Sequence, residues 1–370
     1  MKTILYTALF VLLWVINLFN GTGLGATYHT TEYAQIAVLI ISCYLMYRDS
    51  CRRQSYYMPK RYFVVVVPMV VLFVLVSLFN DKGWVAFEYL WVFLVVYALS
   101  HTRLERENLY LVGIAYAALG LVILVVFNYM TILKGWNENS IAMIGLFSYL
   151  VFVIPFYGMR DKKSVFMIVL VGTVYSALIW PTGSRSCILA IVLSWLIIFR
   201  VLPLEKLFRS SPRLFLALQI PLVIAIVGSL LARYGDVAVL DKWSLSEVGK
   251  TFFNGRDGLW HGAFQRLENN ILFGSGNVAG DSYYHNCAVD CMSTYGVLGY
   301  FLWIKLFHVI LKEALPYRRD ICAGGALSVF LLILWQQSVE RGLFTSGPNL
   351  IPYVILGLLM ARVRALKEQA

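Results

Sequence analysis

Charge is scarce in this chain. Asp, Glu, Lys and Arg make up 14% of its 370 residues, while hydrophobic residues make up 60%. A soluble domain has no way to cover that much apolar surface, so none is expected. Strand-type alternation of apolar and polar residues is missing, which removes a membrane β-barrel. The phosphate-binding P-loop and the dinucleotide-binding glycine pattern are both absent, so nucleotides are unexpected as substrates. No internal repeat is visible. Cysteine is rare, with six residues in all. Cys43, Cys51, Cys187 and Cys322 fall in or beside apolar runs and read as small packing residues. Cys287 and Cys291 sit four apart in a polar stretch outside the membrane, a weak signal for a disulfide or a metal.

What the chain does have is about a dozen apolar runs long enough to cross a bilayer as helices. They fall near 3–19, 33–47, 62–80, 84–99, 109–128, 140–157, 165–180, 186–199, 214–232, 296–311, 321–336 and 349–361. Helices satisfy their own backbone in lipid, so the expected fold is all-α: one polytopic bundle of about twelve transmembrane helices spanning 1–370. The first run is too long for a signal-peptide core and is read as a membrane helix.

The net charge of +11 raises nucleic acid as a partner, but its distribution argues against one. Lys and Arg cluster in every second loop, with Arg48, Arg52, Arg53, Lys60 and Arg61 in one and Arg160, Lys162 and Lys163 in another. The pattern continues through Arg200 to Arg213, Lys312 to Arg319, and Arg362 to Lys367. Roughly 21 basic residues fall on one side against roughly 9 on the other, the bias of cytoplasmic loops. Both termini are therefore expected in the cytoplasm, and the long polar insertion 233–295 outside it.

That insertion is far longer than crossing requires. Within it, Leu259, Trp260, Ala263, Phe264, Leu267 and Ile271 recur at helical spacing, with Asp257, His261, Gln265 and Asn269 largely on other faces. The pattern predicts an amphipathic helix that lies on the membrane or roofs a cavity, ended by Gly274-Ser275-Gly276. Asn286 is expected to open the next helix. A second polar point is the tight turn Pro181-Thr182-Gly183-Ser184-Arg185, where Pro and Gly stop one helix and Ser184 is placed to cap the next. Arg185 there either binds an anion or snorkels to headgroups. Inside the spans, Glu88, Lys305 and His308 are the ionisable residues, and an ion pair between Glu88 and one of the other two is the expected use.

Arg185, Arg256 and His285 form a chemically coherent set if they share an outer-face pocket. Two guanidinium forks match phosphate oxygens and stay charged. An imidazole can take a proton from a hydroxyl. The set suits a diphosphate leaving group and an attacking alcohol. No Asp-x-Asp pair occurs in the outer loops, so no divalent metal and no cofactor is expected. Arg266, Arg341 and Asn286 are further candidates; Glu340-Arg341 reads either as a local ion pair or as another phosphate contact.

Three stretches together resemble the O-antigen ligase and O-antigen polymerase superfamily of bacterial envelope enzymes. They are Thr182-Gly183-Ser184-Arg185-Ser186 opening an apolar helix; Gly255-Arg256, Trp260 and then Leu272-Phe273-Gly274-Ser275-Gly276; and His285-Asn286 followed by Gly296 and Gly299. The likeness covers roughly residues 130–350. Asn270-Ile271-Leu272 departs from the family, which often places a proline before the Gly-x-Gly. The resemblance implies a bacterial cytoplasmic (inner) membrane enzyme that moves a glycan from undecaprenyl diphosphate to an acceptor glycan, without metal and with inversion. It implies that Arg185 and Arg256 hold the diphosphate and that His285 is the base. The implied partners are the lipid-linked oligosaccharide, the acceptor glycan and membrane lipids, with a chain-length regulator as a candidate. A repeat-unit polymerase is favoured, with a ligase acting on a lipid core as the alternative. A lipid-glycan flippase or transporter is the alternative of another class; it would place the critical residues near the bilayer midplane, at Glu88 and Lys305.

Overall fold

The computed structural model describes residues 2–21, 36–37, 40–41, 44, 48, 60–80, 85–102, 106–130, 137–204, 208–235, 241–242, 244–246, 251–275, 284–345 and 349–369. Helices make up most of this part of the chain, and no strand occurs among the described residues. In order they are α1 (Lys2–Gly21), α2 (Lys60–Phe79), α3 (Val85–Ser100), α4 (Arg106–Tyr129), α5 (Glu138–Val153), α6 (Lys162–Ile179) and α7 (Arg185–Ile198). Then follow α8 (Ser211–Ala217), α9 (Ile220–Tyr234), α10 (Arg256–Leu267), α11 (Cys287–Ala314), α12 (Ile321–Gln336) and α13 (Leu350–Gln369).

Five of these, with their short 3-10 extensions, are long and apolar enough to cross a membrane: Lys60–Phe79, Arg106–Tyr129, Glu138–Phe156, Lys162–Thr182 and Cys287–Tyr317. The pair α8 and α9 makes a sixth if counted as one span, bent by 44° at the break. The expected twelve are therefore only partly matched. The expected run 33–47 lies mostly outside the described residues. Other runs form helices that are too short to cross: α7 has 14 residues and α12 has 16. At 1.5 Å per residue they reach about 21 and 24 Å, less than the ~30 Å hydrocarbon core. Polar turns at the same end of the bundle, 180–184 and 336–345, cut both short.

The core is formed by α4 against α5, α13 against α3 and α11 against α2, with α5, α11, α12 and α13 buried along most of their length. Aromatic rings fill its centre: Phe73 stacks on Tyr295 at 3.7 Å, and Tyr89 on Phe344 at 4.5 Å. The insertion helix α10 packs on α9 and α11.

The two ends of the bundle differ in chemistry. At one end the basic loops meet. Arg106 Nη2 donates to Tyr110 OH and lies 3.3 Å from Met159 Sδ, and Arg200 stands 4.8 Å over the Tyr157 ring. Arg362 makes a two-pronged contact with Asp320 at 3.1 and 2.7 Å, and Lys367 reaches Glu313 at 2.8 Å. The opposite end carries the 180–184 turn, the start of α10, the entry to α11 and the 336–345 segment.

Polar residues in and beside the spans find these partners. Lys305 and His308 both turn to α8: His308 Nε2 meets Ser211 Oγ at 2.9 Å, and Lys305 Nζ lies 5.8 Å from the Phe215 ring. The side chain of Glu88 lies outside the described residues. Cys287 and Cys291 do not sit in an external loop. They are fully buried free thiols on the first turns of α11, which begins nine residues before the apolar run 296–311.

Candidate active site

The first wall of the site is the turn between α6 and α7. α6 ends at Ile179, and Pro181 sits in a single 3-10 turn, Trp180–Thr182. Gly183 then adopts a left-handed φ of 69°, open to glycine at little cost, and the chain reverses into α7. Ser184 occupies the cap position but does not cap. Its hydroxyl points to Cys187 Sγ at 3.2 Å instead of taking a backbone N–H. Arg185 is the first residue of α7 and is exposed.

The second wall repeats this local design. Gly255 is left-handed, with φ 76°, and Arg256 is the first residue of α10. The amphipathic helix is present, but its apolar stripe is narrower than expected. Trp260, Ala263 and Leu267 face inward, while Leu259 and Ile271 are exposed. The helix also stops at Leu267, with a 3-10 turn over Glu268–Asn270, well before Gly274. Gly274-Ser275 has a different use: Ser275 N donates to Ser293 O, and Val297 N donates to Ile271 O, both at 2.9 Å. This docking needs the break in α11 at Gly296 (φ 68°), where any Cβ would strike the Leu272 carbonyl.

The third wall enters α11. His285 has a positive φ of 49°, which is uncommon for a residue with a Cβ and costs about 1–3 kcal/mol. Its neighbours hold it there. Tyr284 N donates to Asp290 Oδ1, and Trp260 Nε1 donates to Tyr284 O at 2.7 Å. Asn286 accepts from Ala288 N and Val289 N as the expected cap of α11. Its amide donates to Pro221 O and Ser338 O, each at 2.8 Å. Asn286 is thus fully buried and its hydrogen-bonding capacity is consumed by the scaffold.

These walls meet at Glu340. Its carboxylate accepts from Arg256 Nη2 at 3.0 Å and from Ser186 Oγ at 3.5 Å, and it lies 3.8 Å from His285 Nδ1. Beneath it, Gln336 donates to Ser186 Oγ, and Gln337 donates to Gln336 while accepting from Leu343 N. A cavity of about 440 Å³ opens beside the carboxylate, with Arg185, Ser186, Arg256, Trp260 and Glu340 on its wall. That size is ordinary for a small-ligand pocket. His285 does not line this cavity; it stands beside Glu340. Its Nδ1 is buried without a hydrogen-bond partner, while the side chain as a whole is 35% exposed. The edge carrying Nε2 is therefore the accessible one.

Of the residues expected from sequence, Arg185 and Arg256 share the cavity and His285 adjoins it. Arg266 is elsewhere: it is exposed and lies 5.9 Å over the Tyr284 ring. Arg341 is half-buried and acts electrostatically on Asp290. His261 is tied to Ser229 and Gln265. Glu340 is the residue whose importance the sequence left open. The available signal was that it is the single acid in the stretch 337–348. No group of three or more metal-ligating side chains occurs among the described residues.

No protein-family model matches this chain, and no curated protein matches it. The functional reading therefore rests on the site.

Proposed function

We propose that this protein is a membrane glycosyltransferase that moves an undecaprenyl-diphosphate-linked glycan onto an acceptor glycan hydroxyl. The observation that carries the reading is the shared cavity: two arginines, each the first residue of a helix after a left-handed glycine, face one space, and His285 adjoins it. Helix starts leave backbone N–H groups unpaired and carry positive partial charge, so both helices add to the pull of their arginines on an anion.

In the proposed reaction the acceptor hydroxyl oxygen attacks the anomeric carbon from the face opposite the diphosphate. The new glycosidic C–O bond forms as the C–O bond to diphosphate breaks, and undecaprenyl diphosphate leaves with that electron pair. His285 Nε2 takes the hydroxyl proton. Arg185 and Arg256 stabilise the charge that grows on the diphosphate, an effect magnified where water is excluded. The polyprenyl tail stays in hydrocarbon, so the donor enters sideways from the bilayer.

About twelve crossings, a site on the outer face of a bacterial cytoplasmic membrane, and both termini in the cytoplasm complete the proposal. The basic end of the bundle, opposite the cavity, supports that orientation. We favour a repeat-unit polymerase of O-antigen or capsular type. A ligase would use the same donor site with a lipid-core acceptor. Reconstitution with purified lipid-linked repeat units and no other acceptor tests this: elongated products mean polymerase, and product only after adding a separate acceptor means ligase. No transfer under either condition removes the glycosyltransferase reading.

A further inference from the structure

Glu340 touches all three segments that build the site. One carboxylate oxygen takes the Arg256 hydrogen bond at 3.0 Å, and the other lies 3.8 Å from His285 Nδ1. Ser186, next to Arg185, approaches the first oxygen at 3.5 Å. The carboxylate side chain is 5% exposed, and His285 Nδ1 is itself buried with no hydrogen-bond partner. One buried negative charge thus stands between the two groups, and it bonds to only one of them.

Building on the diphosphate reading above, we propose that Glu340 is an exchangeable counter-ion and a positioning residue: it holds Arg256 in the empty site and passes to His285 when a diphosphate takes the arginine. Phosphate oxygens compete well for Arg256 because they match the guanidinium fork. Once Arg256 turns to the ligand, Glu340 is left charged and desolvated, which is unfavourable. His285 Nδ1 is the donor beside it. Closing the gap by less than ~1 Å brings the pair to hydrogen-bond distance. The imidazole is then held as the Nδ1–H tautomer, with Nε2 as proton acceptor. Donor binding and activation of the base become one event.

The test uses the full chain in detergent, inorganic pyrophosphate as the probe and isotope-labelled histidine. The His285 signal is identified by its loss in His285→Asn. In the wild-type protein, pyrophosphate is expected to move His285 to the Nδ1–H form with a hydrogen-bonded proton. Glu340→Gln removes the competing charge, so pyrophosphate binds about tenfold tighter, yet the His285 change disappears. In the transfer assay the same variant lowers the donor KM and lowers kcat about a hundredfold, since orientation of the base is lost. A merely structural carboxylate would weaken binding and turnover together. Glu340→Asp keeps the charge on a shorter arm and is expected to recover part of kcat. If Glu340→Gln does not fold, Glu340→Asp carries the binding test, because its weaker hold on Arg256 again tightens pyrophosphate. Unchanged or weaker pyrophosphate binding in both variants, or a His285 response that survives Glu340→Gln, overturns the exchange alone. Failure of the wild-type protein to bind pyrophosphate overturns both the exchange and the diphosphate reading.

Discussion

Arg256 and Glu340 face each other across 84 residues of chain, with Nη2 and Oε1 3.0 Å apart and the side chains only 15% and 5% exposed. The contact ties the insertion helix α10 to the 336–345 segment. Removing one partner leaves a buried charge unpaired, at about 3 kcal/mol. Arg256→Ala and Glu340→Ala are each expected to lower thermal stability in detergent. The double variant is expected to lose less than the sum, with a coupling of about 1–3 kcal/mol. Strict additivity would mean that the two side chains do not interact in solution.

His285 separates stability from function. Its backbone is left-handed, and glycine adopts that conformation without a Cβ penalty. His285→Gly is expected to unfold at the same or a higher temperature, by up to about 1 kcal/mol, while transfer is abolished. A variant that is clearly less stable than His285→Ala would show that the backbone there is not strained.

Arg185 stands at the head of α7 on the cavity wall, exposed, with few packing duties. Arg185→Lys keeps the charge but loses the planar fork. We expect a loss of about tenfold or more in kcat/KM for the lipid-linked donor, with unchanged thermal stability. Wild-type turnover in this variant would reduce Arg185 to a headgroup contact.

Gly296 and Gly258 make a matched pair of tests. A Cβ at Gly296 would strike the backbone of Leu272, and its φ is positive. Gly296→Ala is expected to undo the docking of 271–275 on α11 and to destabilise by about 3 kcal/mol or more. Gly258, inside α10, has open space around it. Gly258→Ala is expected to be neutral or stabilising by up to about 1 kcal/mol. Comparable yields of monodisperse protein from both would refute the close-approach argument.

At the basic end, Asp320 caps α12 through Cys322 N and Ala323 N and pairs with Arg362. Burial alone would raise its pKa, but the Arg362 hydrogen bonds and the two backbone N–H groups outweigh it and hold the carboxyl below its ordinary value. A depressed folded-state pKa means the stabilisation is fully present above the unfolded value and is lost as pH falls through the folded one. The stability gap between wild type and Asp320→Asn should therefore stay flat from neutral pH down to the ordinary carboxylate range, then shrink below it. A gap that opens on acidification instead would reverse the sign and refute the assignment.

Much of this architecture was legible residue by residue. Pro181 and Gly183 do end a helix, Asn286 does cap the next, and Trp260, Ala263 and Leu267 do form a buried stripe. Each of these is decided within one turn of chain. The number of crossings was less legible: α7 and α12 match the runs 186–199 and 321–336 to within a residue yet fall short of a bilayer, and α11 extends beyond its apolar run because its polar first turns are buried by neighbours. Ser184 shows why a cap position does not guarantee a cap, since a nearby thiol took its hydroxyl.

Composition alone determined that this chain is helical and suited to lipid, because a backbone without water must bond to itself within each segment, whatever the rest of the chain does. Only the tertiary structure decided which polar groups share a space. Arg185, Arg256, His285 and Glu340 come from four separate segments, and their meeting depends on how loops close and helices pack, quantities that no local pattern carries. That is why Arg266, ten residues beyond Arg256 in the same helix, stays off the cavity wall, and why Glu340, which beside Arg341 could read as a local ion pair, instead pairs with Arg256 on that wall.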